Sequence, residues 1–299
     1  MTEGEIIHSL KAHTDFLYCL AISPHGKTLA SASKDKTIKL WQLANGQEIC
    51  TLKGHTDAVF QVVFSPDKQT LVSGSKDKTI KVWNLQTTQE IHTFLGHTNW
   101  VTSLAISPDG QILVSSGFDK TIKLWNLQTG EELCTLRDHS YPVTSVAISP
   151  DGQTLVSGSK DKSIKVWSLQ NANLIGTLTG HSKEVESIAI CSDGKTLVSG
   201  GLDETIKLWN IDINQVIRTQ ICGYLGSVHC LTFSPDGQTL ASGHKDGTIR
   251  FWNLNTGEEL FKLRGHGLKG VNSIVFSPDG NFLASCAFWD KTIQIWRLR

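Results

Sequence analysis

Short apolar runs, broken by clusters of turn residues, recur along the whole chain. Between residues 58 and 94, four runs rich in Val, Ile, Phe and Thr are separated by Ser-Pro-Asp, Lys-Asp-Lys and Gln-Thr-Thr. Such runs predict β-strands, and the polar clusters predict turns, because Pro, Asp, Ser and Gly favour turn conformations. No segment shows a sustained helical period. The pattern therefore predicts an all-β protein.

The predicted strands are apolar on both faces. In the segment "TIKLW", Ile38 and Leu40 alternate out of phase with Trp41, so that opposite faces of one sheet carry apolar groups. A sheet of this kind is expected to lie between two neighbouring sheets.

One phrase is repeated. "SASKDKTIKLW" at 31–41 returns as "SGSKDKTIKVW" at 73–83 and "SGSKDKSIKVW" at 157–167. Aligning the copies spaces the tryptophans by 42 residues four times and then by 43 and 44; they are Trp41, Trp83, Trp125, Trp167, Trp209, Trp252 and Trp296. A period of this length predicts one supersecondary unit per repeat. Radial packing of seven four-stranded sheets would cover both apolar faces of each.

Four units carry a Gly-His pair, such as Gly54-His55, and two more, at Ala12-His13 and Asp138-His139, keep only the histidine. In five units a turn aspartate follows the histidine by 22 residues, and a tryptophan closes each unit. On these features the chain resembles the WD40-repeat proteins over essentially its whole length, with highly regular repeats of the bacterial type. The resemblance implies one seven-bladed β-propeller domain over residues 1–299, with four antiparallel strands per blade. Residues 4–10 resemble the fourth strand at 130–136, which implies that the first segment completes the last blade and closes the ring.

Each unit contains Ser, His and Asp, the residue types of nucleophilic hydrolysis. In the WD40 family these side chains instead form a hydrogen-bonded clamp with the tryptophan, and repetition of the set along the chain argues for structure over catalysis. The implied clamp residues are His13, Ser31, Asp35, Trp41, His55, Ser73, Asp77, Trp83, His97, Ser115, Asp119, Trp125, His139, Ser157, Asp161, Trp167, His181, Ser199, Asp203 and Trp209.

The last two repeats depart from the pattern. In repeat six, Gly223-Tyr224 stands where Gly-His is expected, which predicts a clamp without its central histidine and leaves open a looser blade, a water bridge or replacement by Tyr224. Repeat seven has one extra residue in "GHGLKGVNS" and another in "CAFWDKT". Insertions on one face of a repeat protein are typical of binding sites.

The family resemblance also implies where partners bind: the third and fifth residues after the histidine, and the residue before the turn aspartate. The candidate partner-binding residues are Phe16, Tyr18, Lys34, Phe60, Lys76, Trp100, Phe118, Glu184, Glu186 and Trp289. The aromatic members fall in repeats seven, one, two and three, whereas the two glutamates fall in repeat five. We interpret this segregation as a protein-binding face. An alternative is that Phe16, Tyr18 and Phe60 plug the central channel.

The charge and the remaining motifs narrow the function further. Lys plus Arg balance Asp plus Glu, so no overall field attracts nucleic acid or an anionic membrane. A ladder of lysines in "DKTIK" is interleaved with acids and is interpreted as a solvated face. Seven scattered cysteines favour a reducing cytoplasm. No motif predicts a metal or a cofactor.

The sequence therefore predicts a monomeric, cytoplasmic, non-enzymatic scaffold, with a protein or peptide partner on one face and a place in signalling. The repeats resemble the propellers of bacterial multidomain signalling proteins. Two other classes stay open. One is a small-ligand binder or enzyme that uses His229, Glu184, Glu186 and Lys245 at the channel mouth. The other is a self-assembling structural unit.

Overall fold

The fold is taken from a computed structural model, which describes residues 3–212, 215–221, 226–289 and 291–299. Over these residues the regular structure consists of 28 β-strands. The described residues contain no helix that is long and apolar enough to cross a membrane.

The strands occupy four concentric positions. The innermost strands are β2 (Leu17–Ile22), β6 (Val59–Phe64), β10 (Val101–Ile106), β14 (Val143–Ile148), β18 (Val185–Ile190), β22 (Val228–Phe233) and β26 (Val271–Phe276). The second strands are β3 (Thr28–Ser33), β7 (Thr70–Ser75), β11 (Ile112–Gly117), β15 (Thr154–Ser159), β19 (Thr196–Gly201), β23 (Thr239–His244) and β27 (Phe282–Ala287). The third strands are β4 (Thr37–Gln42), β8 (Ile80–Asn84), β12 (Ile122–Asn126), β16 (Ile164–Ser168), β20 (Thr205–Asn210), β24 (Thr248–Asn253) and β28 (Thr292–Leu298). The outermost strands are β5 (Glu48–Lys53), β9 (Glu90–Phe94), β13 (Glu132–Leu136), β17 (Leu174–Leu178), β21 (Gln215–Ile221), β25 (Glu259–Arg264) and β1 (Gly4–Lys11).

Seven antiparallel four-stranded sheets form a ring, which confirms the predicted seven-bladed propeller. Six blades use consecutive strands, as in β2-β3-β4-β5, whereas the seventh has the order β1-β28-β27-β26. In that blade Gly4 pairs with Leu298 and Lys11 pairs with Thr292. The first strand of the chain therefore closes the ring, and this pairing covers an edge that would otherwise be open to association.

The core consists of layers between blades. Between blades one and two, for example, Ala30 and Ile38 of one sheet pack with Val59, Leu71 and Trp83 of the next, and all five are at most 2% exposed. Equivalent clusters occur at the other six junctions. Each blade thus buries both faces, as the alternation of apolar residues in "TIKLW" predicts.

Two sets of loops define one face of the disc, which we call the top face. One set consists of the tight turns between second and third strands. The other consists of the loops that lead from each outermost strand to the next innermost strand. A backbone hydrogen bond joins the two sets in every blade, as from Lys34 N to Phe16 O at 2.8 Å. The top face therefore presents adjacent residues from distant parts of each repeat.

Candidate functional site

A chain of hydrogen bonds links the outer part of each of the first five blades. In blade two, His55 Nδ1 lies 2.8 Å from Asp77 Oδ2, and His55 Nε2 lies 2.8 Å from Ser73 Oγ. The indole Nε1 of Trp83 donates to Ser73 Oγ at 2.8 Å. The same contacts occur at His13, Ser31, Asp35 and Trp41, at His97, Ser115, Asp119 and Trp125, at His139, Ser157, Asp161 and Trp167, and at His181, Ser199, Asp203 and Trp209.

The environment of these groups differs from that of a hydrolytic triad. Ser73 is 0% exposed, so its hydroxyl cannot meet a substrate without opening of the blade. Burial raises the pKa of Asp77, but hydrogen bonds from His55 and Thr79 outweigh it, and the pKa lies well below its usual range. The carboxylate is therefore charged and held by its donors. These contacts support a structural role, because His55, Ser73, Asp77 and Trp83 each hydrogen-bond to another member of the set.

Blade six corrects the prediction of an absent central histidine. His244, at the end of β23, places Nε2 2.8 Å from Ser242 Oγ, and Trp252 Nε1 donates to the same oxygen at 2.8 Å. His244 is 0% exposed. An imidazole from the second strand thus supplies the serine contact that a loop histidine makes in the first five blades, whereas its Nδ1 has no hydrogen-bond partner among the described residues. Tyr224 lies outside the described residues.

Blade seven corrects the alignment of the turn before β28. The residue whose backbone N–H bonds to the loop before the innermost strand is Lys34 in blade one, and in blade seven it is Phe288, bonded to Gly270 O at 3.1 Å. The sequence alignment assigned that place to Trp289, which is instead the inserted residue. Spacing alone could not locate the insertion, because only the hydrogen bond fixes the register.

The predicted aromatic residues, together with Phe288, form one continuous cluster, which we call the aromatic arc: Trp289, Phe288, Phe16, Tyr18, Phe60, Trp100 and Phe118. Ring centroids lie 4.7 Å apart for Phe16 and Trp289, and 4.8 Å apart for Tyr18 and Phe60. The arc continues through Phe60–Trp100 at 5.7 Å and Trp100–Phe118 at 4.8 Å. Phe288 contacts both Phe16 and Tyr18, and so connects the Phe16–Trp289 pair to the rest of the arc. Sequence reasoning missed Phe288, although the extra residue in "CAFWDKT" marked its turn.

Lysine ammonium groups lie over several rings of the arc. Lys34 Nζ is 4.5 Å from the ring centroid of Phe16, and Lys76 Nζ is 5.1 Å from that of Trp100. Lys160 stands in the same relation to Phe118, at 5.1 Å. Contacts at these distances are attractive, since the face of an aromatic ring carries negative electrostatic potential.

The arc borders a central cavity of about 690 Å³ at the axis of the ring. Tyr18 and Phe60 line its wall without filling it, together with Lys76, Glu186 and His229. Aromatic side chains that cover the mouth of the channel would lie above this volume, so that interpretation stays an alternative to a binding face. A cavity of about 300–1,000 Å³ is of the size that binds small molecules or inserted side chains.

The wall opposite the arc is polar. Burial raises the pKa of Glu186; the charge of Lys160 opposes this effect and that of Glu184 adds to it. Burial, and then the charge of Lys245, lowers the pKa of the neighbouring His229. Glu184 is half-buried on the same blade but does not line the cavity. The structure therefore places Glu186 and His229 at the channel, and Glu184 above it.

The described residues contain no group of three His, Cys, Asp or Glu side chains arranged to hold a metal ion. The chemistry of the top face thus rests on aromatic rings, ammonium groups and carboxylates. Such a surface can bind by apolar burial and ion pairing.

Comparisons with known proteins match the repeat pattern along the chain. Residues 100–299 match the family described as IFT122 first beta-propeller, and residues 4–42 and 46–84 match WD domain, G-beta repeat. The chain is 45% identical over 42 residues to Striatin-4 of Homo sapiens, which is 14% of this chain and 6% of that protein. It is 46% identical over 43 residues to Target of rapamycin complex subunit LST8-1 of Arabidopsis thaliana, 14% of each. It is 42% identical over 43 residues to Nuclear distribution protein PAC1 of Candida tropicalis, 14% of this chain and 9% of that protein. Each match spans about the length of one repeat.

Proposed function

The chain belongs to the WD40-repeat β-propeller family, and on that premise we propose that it is a non-enzymatic scaffold that binds a polypeptide on its top face. Proteins of this family are generally interaction scaffolds without catalytic activity. One similar protein is named as a subunit of a complex, the Arabidopsis LST8-1 protein. The fold alone does not choose a partner, so the proposal depends on the surface.

The aromatic arc carries the proposal. It joins four neighbouring blades and ends at Trp289, which is 61% exposed. A large aromatic group left in solvent next to other rings costs free energy, which a partner recovers by covering it. Binding hot spots are enriched in Trp and Tyr for this reason. Trp100, at the other side of the arc, contacts both Phe60 and Phe118 and supplies a second anchor.

The polar wall opposite the arc orients the bound segment. Apolar side chains of the bound segment cover the arc, and a basic side chain approaches Glu184 and Glu186. Pairing with a cation would offset the burial that raises the pKa of Glu186. Segregation of apolar and charged groups on one face gives orientation as well as affinity.

A small-ligand binder is the second candidate, and the central cavity of about 690 Å³ favours it. His229 and Glu186 would then contact the ligand from the polar wall, opposite the aromatic side chains of Tyr18 and Phe60. Thermal unfolding with a metabolite library separates the two functions, since a ligand raises the melting temperature only of the protein that binds it.

The scaffold is proposed to act as a cytoplasmic monomer in signalling. Free thiols at Cys19, Cys50, Cys134, Cys191 and Cys230 suit a reducing compartment. Sedimentation velocity at micromolar concentration tests the monomer against the self-assembling unit.

Capture from a lysate of the source cell tests the polypeptide-binding proposal. The wild type is compared with Trp100→Ala/Trp289→Ala and with a control, Ile49→Ala/Leu133→Ala, which removes exposed apolar groups from outermost strands. Circular dichroism first establishes that all three are folded. We expect a protein that is retained by the wild type and the control and lost by the tryptophan variant. Identical sets of bound proteins for all three would refute the assignment of the arc.

A further inference from the structure

Each repeat has three kinds of turn in which one position requires a positive φ, and different residue types occupy this position in the three kinds. Between the first and second strands, six of the seven turns use glycine; the residues are Gly26, Lys68, Gly110, Gly152, Gly194, Gly237 and Gly280. The described turns between third and outermost strands use Gly46, Thr88, Gly130, Ala172 and Gly257. The top-face turns instead use Lys36, Lys78, Lys120, Lys162, Glu204, Gly247 and Lys291.

Lysine is not the residue that this backbone conformation favours. At φ values of 67 to 73°, as at Lys36, Lys78, Lys120 and Lys162, a Cβ atom crowds the following carbonyl, whereas glycine is unstrained. Gly247 in blade six shows that the top-face turn accepts glycine. The lysines are therefore not required by the turn, and backbone strain retained at a surface is a reason to look for a role in binding.

Three of these lysines are also exposed and not neutralised by a carboxylate. Lys36, Lys78 and Lys162 are exposed and form no ion pair with any described residue. The later lysine of the phrase behaves differently: Lys39 Nζ lies 2.6 Å from Glu48 Oε2, and Lys81 Nζ lies 2.7 Å from Glu90 Oε2. The ladder that the sequence suggested as a solvated face thus consists of two sets, of which only the top-face set is unpaired.

The residues around them leave the ammonium groups exposed as cations. In the first five blades the side chain of the turn aspartate points inward, as in Asp77, which is 6% exposed and bonded to His55 and Thr79. Lys34 and Lys76 lie 3.6 Å from Asp15 and Asp57, respectively. The two aspartates therefore offset the charges of the lysines that precede the turn aspartate. They do not offset the charges of Lys36, Lys78 or Lys162.

Blade five reverses the charge. Leu202 and Glu204 occupy the positions that hold two lysines in blades one, two and four, and Glu184 and Glu186 lie in the same blade. The top face therefore carries unpaired lysines in blades one, two and four, whereas Glu184, Glu186 and Glu204 lie in blade five beside the exposed Lys183. Opposite charges within one face orient a bound segment and select against those of the wrong pattern.

From this geometry we propose that the segment bound by the top face is an acidic peptide with apolar anchors: its carboxylates meet Lys36, Lys78 and Lys162 while its apolar side chains cover the aromatic arc. This inference rests on the proposed function and names the chemistry of the partner. Carboxylates of a flexible polypeptide can reach ammonium groups spaced around several blades, and ion pairs at a polar rim act mainly on association rate and specificity.

Selection from a library of random 16-residue peptides tests the inference. Peptides are selected in parallel on the folded wild type, on Lys36→Gln/Lys78→Gln/Lys162→Gln, and on Lys27→Gln/Lys68→Gln/Lys195→Gln. The second variant removes the same charge from turns on the opposite face. We expect the wild type and this control to enrich peptides that are rich in Asp, Glu and large apolar residues, and the top-face variant to lose the acidic enrichment. For one enriched peptide we expect about a tenfold weaker affinity on the top-face variant, and a wild-type affinity that falls as salt rises.

The results separate the inference from the proposed function. Enrichment of neutral or basic peptides that bind through Trp100 and Trp289 would overturn the acidic partner and leave polypeptide binding in place. Acidic enrichment that persists on the top-face variant would overturn it as well. Failure to enrich any peptide, or tighter binding of polyuridine RNA or phosphatidylserine vesicles than of any peptide, would count against both.

Discussion

Blade six offers the sharpest test of how these blades hold together. His244→Gln retains a polar group that can reach Ser242 Oγ, now 2.8 Å from Nε2 of the imidazole, but removes the titratable ring. Because His244 is 0% exposed, its charged form is disfavoured in the folded state. The variant therefore isolates the contribution of one buried imidazole to the dependence of stability on pH.

The magnitude follows from the pKa. Burial, followed by the charge of Arg250, lowers the pKa of His244 to about 4, while the charge of Asp246 acts in the opposite direction. An unfolded histidine has a pKa of about 6.5, so the unfolded chain binds more protons between these two values. The contribution of the neutral His244 to the free energy of unfolding is thus fully present above pH 6.5 and is lost as the pH drops to 4. At about 1.36 kcal/mol per pH unit, the loss is about 3 kcal/mol.

Urea titrations followed by circular dichroism at pH 7, 6, 5 and 4 measure the effect. We expect the free energy of unfolding of the wild type to fall by about 3 kcal/mol more than that of His244→Gln over this range. His229 also has a lowered pKa, but it is common to both proteins and cancels in the comparison. His92→Gln, at an outermost strand, is the control and should parallel the wild type. Parallel curves for the wild type and His244→Gln would refute the argument.

Three further changes test the ring, the clamp and a top-face contact. Deleting residues 1–10 removes most of the strand that pairs with β28, and calorimetry should show a melting temperature lower by more than about 5 °C, since about 3 kcal/mol suffices for that shift in a chain of this length. Unchanged melting would contradict ring closure. Ser73→Ala leaves the indole of Trp83 without its acceptor and should cost about 1–3 kcal/mol in urea unfolding, against a negligible change if the bond is unimportant. Gly247→Ala places a Cβ 2.0 Å from the oxygen of Gly267, whereas the Cβ of Gly267→Ala meets nothing within 4 Å. The first variant should therefore lose at least about 2 kcal/mol more of the free energy of unfolding than the second. Equal losses would show that the two loops move apart freely.

Much of the fold could be predicted because the same pattern of strand and turn residues occurs in every repeat. The out-of-phase apolar residues Ile38, Leu40 and Trp41 predicted a sheet with two buried faces, and a cluster at each junction now contains their equivalents. The first strand was predicted at 4–10 and is observed as Gly4–Lys11. Local pattern and spacing sufficed here, since every copy of the phrase meets nearly the same neighbours.

The candidate site was only partly accessible to the same reasoning. Residue types at fixed offsets located Phe16, Tyr18 and Trp100, and the structure brings them into one arc with Phe60. Offsets failed where the repeat is irregular. Phe288 was missed because an insertion can be shifted by one residue without changing the sequence pattern, while the backbone hydrogen bond to Gly270 admits only one register.

By itself the sequence determined the number of blades, the order of strands and the faces that are buried, because these depend on periodic apolar residues and turn residues that act locally. Only the tertiary structure decided which groups meet across the ring. His244 contacts the serine of a clamp that lacks its usual histidine, because it lies two residues after Ser242 on β23 and its ring turns back to Ser242 Oγ. Identical lysines became paired or unpaired according to whether a carboxylate stands within reach, as Glu48 does for Lys39 but no described residue does for Lys36. Contacts of this kind depend on side-chain conformation and on the distances between neighbouring strands, which the periodicity of the sequence does not encode.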